Sequence, residues 1–272
     1  MKQKTLFLDL DGTLLNDEKQ ITPGNRRALE TALDAGHRVV ITTGRPLVSA
    51  IKQSQSLGLT GKGCYLIAFN GGIVYDSFRE EIIYQQDLPT EAALRAIQLC
   101  NERGIHRQAY DETYVLVEPR CDTAVVRRYC GRILMEHRVV PSLPEALTKP
   151  TPKILAIDLN QREPLIRLAE TLNTELPDLI DCFFSSIDYL EIVPKGLNKG
   201  NAVRNMCRML GIDLADTIAV GDEENDLTMI KAAGVGVAMA NGIPAAKALA
   251  DYVTTRDNNH DGIAEVVEKF ML

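Results

Sequence analysis

The stretch TLFLDLDGTLL at residues 5–15 decides the fold. Thr5–Leu8 is β-branched and apolar without alternation, and it stops abruptly at Asp9-Leu10-Asp11-Gly12. A short continuous apolar run bounded by a turn signal reads as a strand buried on both faces. Strands of that kind belong to parallel sheets covered by helices. The next segment agrees. Thr22 stands at an N-cap position, Pro23 at the first helical position, and Ala28, Leu29, Ala32 and Leu33 share one face before Gly36 closes the helix. Arg38–Thr42 (RVVIT) is a second apolar strand ending in Thr43-Gly44-Arg45. A helix over Leu47–Leu57 follows, then a third strand over 65–69 ending in Asn70-Gly71-Gly72.

The last third repeats this rhythm. Helices are expected over Lys199–Leu210, 225–233, 244–250 and Gly262–Phe270, and strands over 217–220, Val235–Ala238 and 252–254. The middle departs from it. Strands over 114–118 and 153–159, a hairpin over 183–186 and 189–193, and helices over 90–103, 122–132 and 163–176 do not alternate strictly, and Pro141, Pro144, Pro150 and Pro152 punctuate them. The pattern predicts an α/β fold: a Rossmann-like parallel-sheet core, residues 1–85 and 189–272, interrupted by an α+β unit at 86–188. Hinges are expected at 83–88 and 187–192.

Composition narrows the function. The chain has 30 Lys+Arg against 37 Asp+Glu, a net charge of −7, no Trp and 5% aromatics. An acidic surface repels polyanions, so nucleic acid and anionic membranes are not expected partners. No apolar run reaches a membrane span and none reads as a signal peptide. The six scattered cysteines form no CxxC pair and are expected to be reduced and mostly buried, which suits a cytoplasmic protein. Met239 stands where the third glycine of GxGxxG would be, and Cys64 follows Gly58–Gly63 where a P-loop needs lysine. His37, His106, His137 and His260 lack ligand spacing and read as structural or solvated. Met206, Met209 and Met229 read as core filler.

The chemistry collects where the strands end. In an open parallel sheet, ligands sit beyond the carboxyl ends of the strands. Four strands end in polar clusters: Asp9/Asp11/Thr13, Thr43/Gly44/Arg45, Asn70, and Asp222/Asn225/Asp226. Any one of them is also an ordinary turn or helix start; four together look like one site. Carboxylates brought close repel and need a cation, and oxygen donors without nearby His or Cys favour Mg²⁺ over zinc. Mg²⁺ held this way usually also grips a substrate phosphate. The other phosphate oxygens then need donors: the Thr43 hydroxyl, the Leu10 and Gly44 N–H groups, and a lysine, for which Lys195 and Lys199 compete. An ionised aspartate can attack phosphorus without a base, and a second carboxyl two residues on can protonate the leaving alcohol and then activate water.

These residues resemble the haloacid dehalogenase (HAD) superfamily of phosphatases, and within it the Cof-type sugar phosphatases with a large C2B cap inserted after the third strand. DLDGTLL at 9–15, ITTGR at 41–45, NKG at 198–200 and GDEENDLTMI at 221–230 carry the resemblance in order and spacing. It implies Asp9 as nucleophile, Asp11 as general acid/base and Lys199 as the catalytic lysine. It implies phosphate or substrate contacts from Leu10, Thr43, Gly44, Arg45, Asn70 and Asn225. It implies a Mg²⁺ site at Asp9, Asp11 (through its backbone carbonyl) and Asp222, with Asp226 at a supporting position. The expected activity is Mg²⁺-dependent hydrolysis of small phosphorylated metabolites, most of all sugar phosphates, by a monomer or homodimer. A phosphomutase of the same superfamily, or a non-catalytic metabolite-binding protein, are the alternatives; the intact Asp9/Asp11 pair argues against the second. In the inserted unit, His106, Arg107, Tyr110 and Tyr114 are candidates to line a sugar pocket.

Overall fold

The computed structural model describes residues 2–120 and 123–272. Cys121, and Asp122 at the expected start of a helix, lie outside the described residues. β1 (Thr5–Leu8) leads to α1 (Pro23–Asp34), β2 (Arg38–Thr42), α2 (Leu47–Leu57) and β3 (Cys64–Ala68). A single 3-10 turn at Phe69–Gly71 follows, then a hairpin of β4 (Ile73–Asp76) and β5 (Glu81–Gln85) that sequence reading does not foresee. Both hairpin strands are short and end in polar residues, and β5 is the exposed edge of its sheet, so neither carries the apolar run of β1–β3.

The chain then builds a separate unit. Its elements are α3 (Thr90–Glu102), β6 (His106–Tyr110), β7 (Val115–Val117), α4 (Thr123–Ile133), β8 (His137–Val139), α5 (Leu143–Ala146), β9 (Ile154–Ile157), α6 (Glu163–Glu175), β10 (Ile180–Ser186) and β11 (Tyr189–Pro194). The return runs through α7 (Lys199–Leu210), β12 (Thr217–Gly221), α8 (Leu227–Ala232), β13 (Val235–Ala238), α9 (Pro244–Leu249), β14 (Tyr252–Val253) and α10 (Gly262–Phe270). Contacts divide the chain into Met1–Gln85 with Asn198–Leu272, and Gln86–Leu197. The return therefore falls at 197/198, not at 188/189. β11 pairs antiparallel with both β10 and β9, which commits it to the inserted unit.

In the first unit the strand order is β14-β13-β12-β1-β2-β3-β4-β5. The six strands from β14 to β3 are parallel, and β4 and β5 extend the sheet antiparallel. From β1 the chain steps outward through α1 to β2, and from β12 it steps the other way through α8 to β13. Right-handed crossovers in opposite directions put their helices on opposite faces. One face carries Phe7, Val40, Ile67 and Ala219 under Ala202, Val203 and Met206 of α7 and Met229 of α8. Alternation sends Leu6, Leu8, Val39 and Ile41 to the other face. There α1 packs against β2 and α10. Truncating a side chain as enclosed as Phe7 costs about 3–5 kcal/mol. Met206 and Met229 are buried as expected, whereas Met209 is 42% exposed. His37 is structural: its ring spans the Lys4 N–H and the Met271 carbonyl. Among the described residues no helix is long and apolar enough to cross a membrane.

The start of α1 differs from the expectation. Thr22 occupies the N-cap but makes no side-chain capping bond. Asp261, at φ +63°, takes that role from across the fold: its Oδ1 accepts the Asn25 N–H at 3.2 Å and the Thr22 hydroxyl at 2.5 Å.

The inserted unit is a six-stranded sheet in the order β10-β11-β9-β6-β7-β8. One face packs Ile154, Ala156, Leu190 and Ile192 against Ala96 and Ile97 of α3, Leu165 and Leu168 of α6 and Leu143 of α5. The other face holds a polar and aromatic cluster, Tyr110, Tyr129, Tyr189, Lys153 and Glu191. Three of the four residues proposed for a sugar pocket lie in separate environments. Arg107 is buried in an ion pair with Glu118, Tyr110 is enclosed against Tyr129, and Tyr114 lies under the guanidinium of Arg138.

Candidate active site

β12, β1, β2 and β3 are adjacent and parallel, so the loops after them meet at one edge. The boundary between β12 and β1, where the chain turns outward in both directions, is the switch point that opens a ligand crevice. Asp9 leaves β1 with its N–H on the Val220 carbonyl at 3.1 Å. The loop then turns through Gly12 at φ +86°, and a Cβ there would lie 2.3 Å from Asp222 Oδ2. Only glycine lets the loops after β1 and β12 approach so closely. Thr13 closes the contact by donating its hydroxyl to Asp222 Oδ1 at 2.6 Å.

Lys199 sits at the first turn of α7, behind an Asn198 N-cap that accepts the Asn201 N–H. Its side chain is wholly enclosed, and its Nζ donates to Asp9 Oδ1 at 2.5 Å and to Asp226 Oδ1 at 2.6 Å. The second oxygen of Asp226 accepts the N–H groups of Asp222 and Glu223 at 3.0 Å each. Asp226 thus fixes both the lysine and the 222–223 loop. Oxygens of Asp9, Asp222 and Asp226 all lie within 4.8 Å of one another.

The electrostatics follow from three enclosed carboxylates gathered around one ammonium. Burial pushes Asp9 well above the usual carboxylate range against the pull of Lys199, with Asp226 and Asp222 adding to the rise. Burial likewise lifts Asp222 to about 7; the Thr13 hydroxyl opposes that, and Asp226 and Glu223 reinforce it. Burial disfavours the charge on Lys199, but Asp226 and Asp9 outweigh it and hold the ammonium above its ordinary value. The surplus of negative charge over Lys199 suits a divalent cation, and the all-oxygen donors suit Mg²⁺.

Asp11 lies elsewhere. Its side chain is 43% exposed and does not join the acidic cluster. Burial alone would raise it, but Arg45 and Lys19 hold its carboxyl below the usual range. Of the predicted metal set, Asp11 therefore has no side chain to offer in this arrangement, because both its oxygens face these cations. Thr43 is buried, with its N–H on the Ile67 carbonyl and its hydroxyl accepting the Arg45 N–H at 3.2 Å. Asn70, in the left-handed region at φ 56°, packs against Gly44 and accepts from Asn225 Nδ2 at 3.2 Å. Leu10 is fully buried. Lys195 is excluded, since it is exposed and paired with Asp181 in the inserted unit.

Two site neighbours escape sequence reading. Asn241 Nδ2 donates to the Gly12 carbonyl at 2.7 Å, and Asn258 Nδ2 donates to the Leu15 carbonyl at 3.0 Å. Asn241 Oδ1 also accepts the Asn258 N–H at 3.2 Å, which ties the two together. Both come from loops after β13 and β14, and their only sequence signal is an asparagine beyond a strand end.

A family model for haloacid dehalogenase-like hydrolases matches residues 6–267. The chain belongs to that family. Its relatives include the pyridoxal phosphate phosphatase YbhA of Escherichia coli, 30% identical and aligned over the whole of both chains. A haloacid dehalogenase-like hydrolase from Bacteroides thetaiotaomicron, 31% identical, superposes with a TM-score of 0.90 over 98% of this chain and 99% of the other. A subclass IIB sugar phosphatase of the superfamily, 27% identical, superposes at 0.83 over 98% and 99%. The HAD chain described here is a hydrolase of the phosphatase class.

Proposed function

We propose that this HAD phosphatase hydrolyses small phosphorylated metabolites, sugar phosphates foremost, through an aspartyl-phosphate on Asp9 and with Mg²⁺ as cofactor. The observation that carries the reading is the enclosed Lys199 bridging Asp9 and Asp226 beside Asp222. A structural ion pair needs no third carboxylate. The names of the relatives support the substrate class: one acts on pyridoxal phosphate and one is a sugar phosphatase. In this reading the Met1–Gln85/Asn198–Leu272 unit is catalytic and Gln86–Leu197 selects the substrate.

Asp9 attacks phosphorus while the bond to the leaving oxygen breaks, and Asp11, protonated once it has left its two cations, gives that oxygen a proton. Asp11, now a carboxylate, takes a proton from water as the water oxygen attacks the phosphoryl group, which frees Asp9 and phosphate. Lys199 stabilises the charge spread over the transferring group. Thr43 and the N–H groups of Leu10 and Gly44 hold the phosphoryl oxygens, and Arg45, Asn70 and Asn225 lie around them. Asp9, Asp222 and the Asp11 carbonyl would hold Mg²⁺, with Asp226 supporting, and the ion would neutralise carboxylate and phosphoryl charge.

The test is phosphate release from 4-nitrophenyl phosphate and from a panel of phosphorylated metabolites, with Mg²⁺ and with a chelator. Asp9→Ala should lose at least about 10³-fold while keeping its thermal transition. Undiminished turnover in that variant, or full activity in chelator, would refute the assignment.

A further inference from the structure

After β1 the chain makes a tight turn over residues 16–20. The Asn16 N–H donates to the Gln20 carbonyl at 2.9 Å, and Asn16 Oδ1 accepts the Gln20 N–H at 2.8 Å. Lys19 stands in that turn at φ +61°, in the left-handed region where glycine or asparagine is at ease. Its ammonium donates to Asp11 Oδ1 at 2.9 Å. From the loop after β2, Arg45 brackets the same carboxylate: Nε meets Oδ2 at 3.1 Å, and Nη2 meets Oδ1 at 2.9 Å and Oδ2 at 2.8 Å. Two cations from two loops thus cover both oxygens of Asp11. A group that hands a proton to a leaving oxygen must present one oxygen to it. Asp11 is free to turn toward that oxygen once a cation lets go.

We propose that Lys19 is a positioning residue, a latch that with Arg45 holds Asp11 in a resting pose and releases it in each turnover. The inference rests on the proposed acid/base role of Asp11. It also gives a reason for a strained lysine where glycine would serve the turn better. A latch lowers the fraction of enzyme with Asp11 available, and the rate falls by that fraction wherever the acid is needed. Lys19 is exposed, so the effect is small, about two- to fivefold. It falls on esters with poor leaving groups, which depend most on protonation.

The experiment compares kcat/KM, which reads the step in which the leaving group departs, for phenyl phosphate and 4-nitrophenyl phosphate in the full chain, in Lys19→Gly and in Lys19→Arg. Lys19→Gly relaxes the turn, so its thermal midpoint should equal or exceed that of the unmodified protein. Its phenyl-to-nitrophenyl rate ratio should rise about two- to fivefold, and Lys19→Arg should keep the original ratio. A ratio that is unchanged or falls in Lys19→Gly overturns the latch. If the unmodified protein hydrolyses neither ester, the proposed site chemistry fails instead, so the two failures are distinct.

Discussion

Lys199 and Lys153 are both enclosed lysines with a carboxylate at 2.5–2.6 Å, yet their surroundings differ in kind. Lys153 faces one carboxylate, Glu191, on the neighbouring strand, beneath the Tyr110 ring at 5.2 Å. The other oxygen of Glu191 accepts the Ser185 hydroxyl, and Tyr110 and Tyr129 close the cluster with a hydroxyl–hydroxyl bond of 2.5 Å. Charge there is balanced within the sheet. Lys199 shares itself between two aspartates beside a third, at the edge where the parallel strands end. Burial alone does not separate a structural ion pair from a reactive one, because both lysines are fully buried. Charge surplus at a strand end does.

That contrast can be broken most directly at Lys199. Lys199→Met should lower kcat by about 10³–10⁵-fold, the worth of a cation that stabilises a transferring phosphoryl group. It should also destabilise the metal-free protein, and added Mg²⁺ should recover the thermal midpoint. If Mg²⁺ leaves that midpoint unmoved, the acidic cluster is not a cation site.

Lys153→Met should produce a defect of another kind, a loss of about 3–5 kcal/mol in denaturant unfolding, because Glu191 is left buried and unpaired. Mg²⁺ should not reverse it, and the double variant Lys153→Met/Glu191→Leu should regain most of the stability. A double variant no better than the single one would show that the pair contributes more than mutual neutralisation.

The smallest effect concerns Glu265, a carboxylate with only donors around it. Burial would raise it, but the Thr255 N–H, the Tyr252 and Thr255 hydroxyls and the Arg256 N–H hold it down to about 2. A carboxyl depressed in the folded state contributes stability that is complete above about pH 4.5. That contribution is lost as the pH falls toward 2. Glu265→Gln should therefore cost about 1–3 kcal/mol at pH 7, and the gap from the unmodified protein should narrow below pH 4.5 and close as the pH falls through about 2. Parallel pH–stability curves would refute this.

Much of the Met1–Gln85/Asn198–Leu272 unit is legible in the chain because its signals are local. β1 and β2 are uninterrupted apolar runs, and Pro23, Gly36 and Gly211 mark helix ends by backbone preference alone. The elements that escape reading are those whose character depends on neighbours. β4 and β5 are strands because β3 offers an edge, and β6 (HRQAY) is one because β9 pairs with it. The return point shifts from 188/189 to 197/198 for the same reason, since β11 reads as a strand anywhere but pairs only with β9 and β10.

The same division runs through the site. By itself the sequence determined which groups could do the chemistry: Asp9, Asp11, Thr43, Lys199, Asp222 and Asp226, each just past a strand or at a helix start. That placement follows from hydrophobic runs and turn residues, which act over a few neighbours. The tertiary structure alone decided how those groups divide their partners. Lys199 lies between Asp9 and Asp226, Asp261 caps α1 in place of Thr22, and Asp11 is turned to Lys19 and Arg45 rather than to the acidic cluster. Apart from Lys19, these partners lie tens to hundreds of residues apart, and a hydrogen bond or ion pair depends on distances of a few ångströms that only the packed sheet and its helices set.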